Sequence, residues 1–205
     1  MKSDNAAHFE LVKIQNRKMI RNLLRVESPQ GIAQLAEHAS LSYPTVAGLL
    51  KELVNRGEVL QTAETESCGG RPGIRFELNV SYQYALILYF KDCTLQAVIH
   101  NASGQQVEKD QMEVDEDITV SKIVRFVKTI KVRYDAISAI AFGVPGVVHE
   151  REITYLPAFP KLTGKELYQR LSYELNADVF LENDLNAVAL TEIGKWSDFA
   201  HIAYV

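Results

Sequence analysis

The chain has 205 residues, 47% hydrophobic and 23% charged, with 11 Gly and 6 Pro. That composition excludes wholesale disorder and fibrous repeats and leaves enough length for two folded units. A net charge of −4 excludes a uniformly basic nucleic-acid binder, but residues 1–80 carry ten Lys and Arg against nine Asp and Glu, whereas residues 81–205 carry twelve against seventeen; only the N-terminal part suits an anionic partner.

Cys68 and Cys93 are far apart and lack metal-ligand spacing, so neither a disulfide framework nor a zinc knuckle is indicated. The N-terminus "MKSDNAAHFE" has no signal-peptide core, and no run approaches the ~20 apolar residues of a membrane span. The expectation is a cytoplasmic, nucleoid-associated protein with no membrane partner.

Between residues 10 and 56 three apolar patterns at helical spacing follow one another. The first ends on Ile20, Leu23 and Leu24; the second holds Ile32, Leu35, Ala36 and Ala39; the third holds Val46, Leu49, Leu50 and Leu53. "SPQG" (28–31) separates the first two, Ser42 is placed to cap the third, Pro44 falls in its first turn, and Gly57 stands where a left-handed cap is expected. "EVLQTA" and "IRFELN" then alternate like strands around "ETESCGGRPG", a hairpin with a long tip.

Three helices followed by a hairpin is the order of a winged helix-turn-helix, predicted over residues 1–80 as a DNA-binding domain. In that arrangement the third helix enters the major groove and the wing reaches the backbone or minor groove. Ser42, Tyr43 and Thr45 at the start of the third helix, with Lys51 further along it, form the candidate DNA-contacting set. Gly70, Arg71 and Pro72 join it from the wing tip, where a cation on a slim loop fits a narrow minor groove. Ala47 and Gly48 are poor base readers, and a trihelical unit with a hairpin also serves as a protein-interaction module.

From residue 81 the period changes. "YALILYF", "LQAVIH" and "QQVEKDQMEV" read as three strands with "NASG" as a turn; "ITVSKIVRFVKTIKVRY" reads as a helix with Ile123, Phe126, Val127 and Ile130 on one face. "AISAIAFG" reads as a central strand covered on both faces. A short helix over "GKELYQRLSYEL", the strand "DVFLEN", a helix "DLNAVALTEIGKW" and a last apolar run "AHIAYV" complete a mixed α/β sheet.

Ligands of such sheets sit beyond the C-terminal strand ends, where "GVPGVV" (143–148) and "ENDLN" fall. Gly143 belongs to a tight loop that lets backbone approach a ligand. Glu182, Asn183 and Asp184 set an amide between carboxylates, a set that suits the hydroxyls of a polyol, while Asp184 at a helix start equally suits an N-cap.

Together these segments resemble the ROK family of repressors, open reading frames and sugar kinases, in its xylose and N-acetylglucosamine repressor branch. "SLSYPTVAGLLKELVNRGEV" is similar to the family's recognition helix, "GGRPG" to its wing tip, "FGVPGVV" to its glycine-proline loop, and "LENDLNAVALTE" to its "ENDxNxxAxxE" segment. The resemblance implies that residues 81–205 are the first lobe of an actin-like, ribonuclease-H-like sugar-kinase domain. It also implies that Asp184 stands where the kinases keep their base, that Asn183 holds a second hydroxyl, and that Gly143 and Glu182 belong to the same sugar site.

Two departures bear on activity. The kinases' Asp-x-Gly-Gly-Thr phosphate loop is replaced by "YFKDCTLQAV", without glycine, and an asparagine of the kinases gives way to Ala158 or a neighbour in "YLPAFPKLTG". The resemblance also places the family's zinc site and second lobe beyond Val205, so the chain is expected to be a fragment or truncated product without cofactor. The implied function is a sequence-specific transcriptional repressor of carbohydrate-utilisation genes, not an enzyme: a homodimer on a double-stranded DNA operator with a sugar or sugar-phosphate inducer. The alternative is a ROK sugar kinase carrying a DNA-binding head.

Overall fold

A computed structural model describes residues 2–63 and 73–187. The chain divides into two compact units, Met1–Tyr82 and Gln83–Val205.

In the first unit, α1 (Lys2–Val26), α2 (Ile32–Ala39) and α3 (Tyr43–Asn55) enclose a core with Ile20, Leu24, Leu35, Leu50 and Leu53 fully buried. Burying each such side chain stabilises the fold by about 1.5–3 kcal/mol. The α2–α3 turn is made by Ser40, left-handed at φ 52°, whose N–H donates to Glu37 O while Leu41 N donates to Ala36 O. Gly57 (φ +74°) closes α3 in the same way, with Gly57 N to Val54 O and Glu58 N to Leu53 O. That double bond is the Schellman cap, and its positive φ is the reason for glycine there.

Helix α1 extends well beyond the first apolar pattern, to Lys2. Its end is fixed by an element not foreseen in "SPQG": Gln30 and Gly31 form β1, antiparallel to β3 (Ile74–Leu78), which also pairs with β2 (Val59–Ala63). The Gln30 side chain is buried, donates to Glu27 O (2.7 Å) and Leu23 O (3.1 Å), and meets His38 Nδ1 at 3.1 Å. One amide thus binds two carbonyls at the end of α1: that of Glu27, just past the helix, and that of Leu23, which also accepts from Glu27 N.

Ion pairs tie α1 to α3 and to the start of the hairpin. Lys13 and Arg17 reach Glu52 of α3 at 2.5 and 3.3 Å, and Arg21 reaches the buried Glu58 at 2.6 Å.

Among the described residues, the second unit holds a five-stranded sheet in the order β10-β7-β4-β5-β6, formed by Asp178–Asn183, Ile137–Val144, Tyr84–Lys91, Thr94–Asn101 and Gln106–Glu113. Strands β10, β7 and β4 are parallel, while β5 and β6 run antiparallel to their neighbours. This is the arrangement expected of a ribonuclease-H-like lobe. Helices α4 (Val120–Arg133) and α5 (Glu166–Leu175) contribute Ile123, Val127, Leu167 and Leu171 to a core with Leu86, Leu88, Ile140 and Phe142.

The expectation that β7 is covered on both faces is not met among the described residues. Ile137, Ile140, Phe142 and Val144 are buried, whereas Ala139, Ala141 and Gly143 are only partly covered. Between β7 and α5 the sequence reading also missed a small hairpin, β8 (Val147–His149) and β9 (Glu152–Tyr155). Its turn residues Glu150 and Arg151 both have positive φ (47° and 70°), so the usual Asn-Gly turn signature is lacking. The helix predicted from residue 184 begins there, but from residue 188 onward it lies outside the described residues, as does "AHIAYV".

Candidate functional sites

The first site is the start of α3. Ser42 has extended geometry and accepts a hydrogen bond from Thr45 N at 3.3 Å, and its hydroxyl lies 2.8 Å from that of Thr45. Ser42, Tyr43 and Thr45 are exposed, and so is Lys51 two turns on. Pro44, Gly48, Lys51 and Asn55 follow each other at helical spacing along one exposed line.

Asn55 was missed in the sequence because it ends the helix, yet it stands one turn beyond Lys51, and an amide is a base-reading group. Gly48, at the middle of the line, has open space where a side chain would stand. The backbone there is open to close approach. Gly70, Arg71 and Pro72 lie outside the described residues, although β2 and β3 that flank them are in place.

Glu52 would place a negative charge near this face, but Lys13 and Arg17 neutralise it. The Lys13 hydrogen bond, more than the charges, holds its carboxyl below the usual range. Helix α3 therefore presents hydroxyls, an amide and one cation outward.

The second site is the C-terminal edge of β7 and β10, where Gly143 pairs with Glu182 and Val144 with Asn183. Gly143 lies within the strand, not in the loop assigned to it. The turn is made by Pro145 and Gly146, with Gly146 N donating to Val144 O at 2.9 Å. A Cβ on Gly146 would stand 2.3 Å from Tyr155 O, so glycine is required by the close approach of β9.

Asn183, rather than Asp184, caps the helix that starts at 184. Its Oδ1 accepts from Asn186 N at 3.0 Å, and its Nδ2 donates to Gly146 O at 2.7 Å. Glu182 Oε1 accepts from Asn183 N (2.8 Å) and Asn186 Nδ2 (3.1 Å), and Asp184 Oδ1 accepts from Leu185 N at 2.9 Å. The second oxygen of each carboxylate has no partner among the described residues. Two free carboxylate oxygens at a strand end accept hydrogen bonds from hydroxyl groups; the amide between them is already engaged by the backbone.

Gly143, Glu182 and Asp184 line one cavity of about 430 Å³ on the sheet face. Ile87, Ala141 and Phe180 also line it, and Phe180 is 62% exposed, so among the described residues the wall beyond the carboxylates is apolar sheet. At the end of β4, where the kinases' phosphate loop would stand, Asp92 and Cys93 form a two-residue turn closed by Thr94 Oγ1 to Lys91 O at 2.7 Å. No glycine-built row of N–H groups is present there. Among the described residues no cluster of His, Cys, Asp or Glu could hold a metal ion, and no helix is long and apolar enough to cross a membrane.

A trihelical unit with a hairpin, joined in one chain to a mixed sheet with carboxylates at its strand ends, defines a two-unit protein of the α/β class. The model of the ROK family matches residues 93–201, more than half of the chain, and the chain belongs to that family.

Among curated proteins, the xylose repressor of Bacillus subtilis (strain 168) is 23% identical over 204 residues, 95% of this chain and 53% of its own. The N-acetylglucosamine repressor of Escherichia coli O6:H1 is 20% identical over 194 residues, 90% of this chain and 48% of its own. The chain thus spans about half the length of the curated relatives it matches. A crystal structure of a ROK family transcriptional regulator, a homologue of the E. coli MLC protein, shares the fold with a TM-score of 0.69 over 92% of this chain and 50% of that one, at 19% identity.

Proposed function

We propose that this chain belongs to a sugar-responsive transcriptional repressor, with the first unit acting as a winged helix-turn-helix on DNA and the second forming one side of a sugar site. The observation that carries the reading is the outward line of α3. It is capped by Ser42, offers Tyr43, Thr45, Lys51 and Asn55, and lies in a unit that aligns with repressors along nearly the whole chain.

Inducer chemistry follows from charge. Glu182 and Asp184 bring two carboxylates to one strand end, which attracts hydroxyls and repels a phosphate, so the inducer is a neutral sugar rather than a sugar phosphate. Induction requires the sugar to favour one arrangement of a dimer's two DNA-binding units over another; equal affinity for both would shift nothing.

The test is anisotropy titration of the full-length protein with the DNA upstream of its own gene, across a salt series and a panel of neutral and phosphorylated sugars. Salt-sensitive binding released by a neutral sugar is expected; no binding at any salt removes the reading. A second reading, a sugar kinase with a DNA-binding head, rests on the free Asp184 oxygen. Sugar-dependent ATP consumption abolished by Asp184→Asn would establish it.

A further inference from the structure

Helix α1 carries more apolar surface than its own unit uses. Ile20 and Leu24 face the core, while Phe9, Val12, Asn16, Met19, Leu23 and Val26 form a second stripe, turned about 100° around the helix axis. Phe9, Val12 and Val26 are 69%, 38% and 88% exposed; Met19 and Leu23 are partly exposed and line, with Val26, a groove of about 340 Å³.

The steps along this stripe are three, four, three, four and three residues, the alternation of a coiled-coil seam. The seam is about 26 Å long. Five of its six members are apolar. The sixth, Asn16, sits near its middle, and its amide makes no hydrogen bond among the described residues.

The occupant is identified by that amide. An apolar partner would bury Asn16 without a hydrogen bond, which is unfavourable. An antiparallel copy would place Met19 opposite it, since Phe9 would then face Val26 and Val12 face Leu23. A parallel copy places a second Asn16 at the same level, and a single asparagine in such a seam fixes register and strand number. The neighbouring flank residues Lys13 and Ile20 are held in their own unit, by Glu52 and by the core, so only one flank is open to a second strand.

We propose that α1 is a dimerisation element that pairs over Phe9–Val26 with α1 of a second copy, parallel and in register at Asn16. The assignment names an interface and does not rest on DNA binding. It is tested by disulfide trapping in the full-length protein with Cys68 and Cys93 replaced by Ser and dissolved oxygen as oxidant. Asn16→Cys gives a covalent dimer, and Ile14→Cys, exposed on the opposite side of the helix from Asn16, does not.

Absence of an Asn16→Cys dimer, equal trapping at Ile14→Cys, or preferential trapping between Asn16→Cys and Met19→Cys chains overturns the proposal. Adding Phe9→Asp and Val12→Asp, both at exposed positions that leave the core intact, lowers trapping at position 16 roughly tenfold or more, as when apolar anchors are removed from an interface. Unchanged trapping in that variant also overturns it. A protein that is trapped at position 16 yet fails to bind operator DNA counts against the repressor reading alone.

Discussion

Asn183 Nδ2 donates to Gly146 O at 2.7 Å, so the residue that caps the last described helix also fastens the turn after β7. The neighbouring Asp184 shares neither bond. In the proposed sugar site, capping and hydroxyl recognition therefore fall on adjacent residues. Asn183→Ala removes the cap and leaves the Gly146 carbonyl without its partner, destabilising the protein by about 1–2 kcal/mol. Asp184→Asn keeps stability within about 0.5 kcal/mol, because the amide oxygen still accepts from Leu185 N, while sugar affinity drops at least about tenfold. Thermal melts and calorimetric titration of both variants check this, and a reversed pattern contradicts the division of roles.

Glycines at two positions have opposite tolerance. Gly146→Ala forces a Cβ against Tyr155 O and costs about 1–3 kcal/mol through backbone displacement. Gly48→Ala meets nothing and stabilises α3 by about 1 kcal/mol from helix propensity alone. Denaturant midpoints decide; equal effects at the two sites would show that the approach of β9 to the turn is not tight.

On α3, Lys51→Ala weakens operator binding across all sequences and lowers the salt slope by about one. Asn55→Ala leaves that slope unchanged and relaxes preference at one base pair. Binding series on operator and scrambled duplexes separate the two. A sequence-specific loss at Lys51 would reverse the assignment.

The Glu52 carboxyl titrates below its usual range in the folded protein, chiefly through its hydrogen bond with Lys13. A depressed folded value means that the stabilisation is complete above the unfolded value and is lost as pH falls through the folded one. The stability gap between the native chain and Glu52→Gln therefore narrows on acidification below about pH 5. Urea midpoints between about pH 3 and pH 7 measure it, and a gap that widens towards low pH contradicts the sign.

The sequence patterns placed the helices and most strands because each buries a face at its own period. Leu35, Ala36 and Ala39 mark α2, and the alternation of Leu86 and Leu88 marks β4. What stayed hidden depends on backbone pairing or on single side chains. β1 is two residues long and exists only through its partner β3; the β8–β9 hairpin turns on Glu150 and Arg151 instead of the usual turn residues. Asp184 was legible as a helix-start carboxylate, but which residue caps was decided by the reach of Asn183 to Gly146, and nothing in local spacing reports that distance. Leu23 was grouped with Ile20 and Leu24 by period and proved to lie towards the second stripe of α1.

Gln30 gives α1 a mechanical character. The helix is clamped at its C-terminal end by the Gln30 amide and the buried Ile20 and Leu24, while residues 8 to 12 are all exposed. The Lys13 and Arg17 pairs with Glu52 carry that hold outward, so the arm left free runs only from Lys13 to Phe9, roughly 6 Å, and a tilt of about 10° there displaces Phe9 by about 1 Å. The exposed tip is thus presented to a neighbour at a nearly fixed angle.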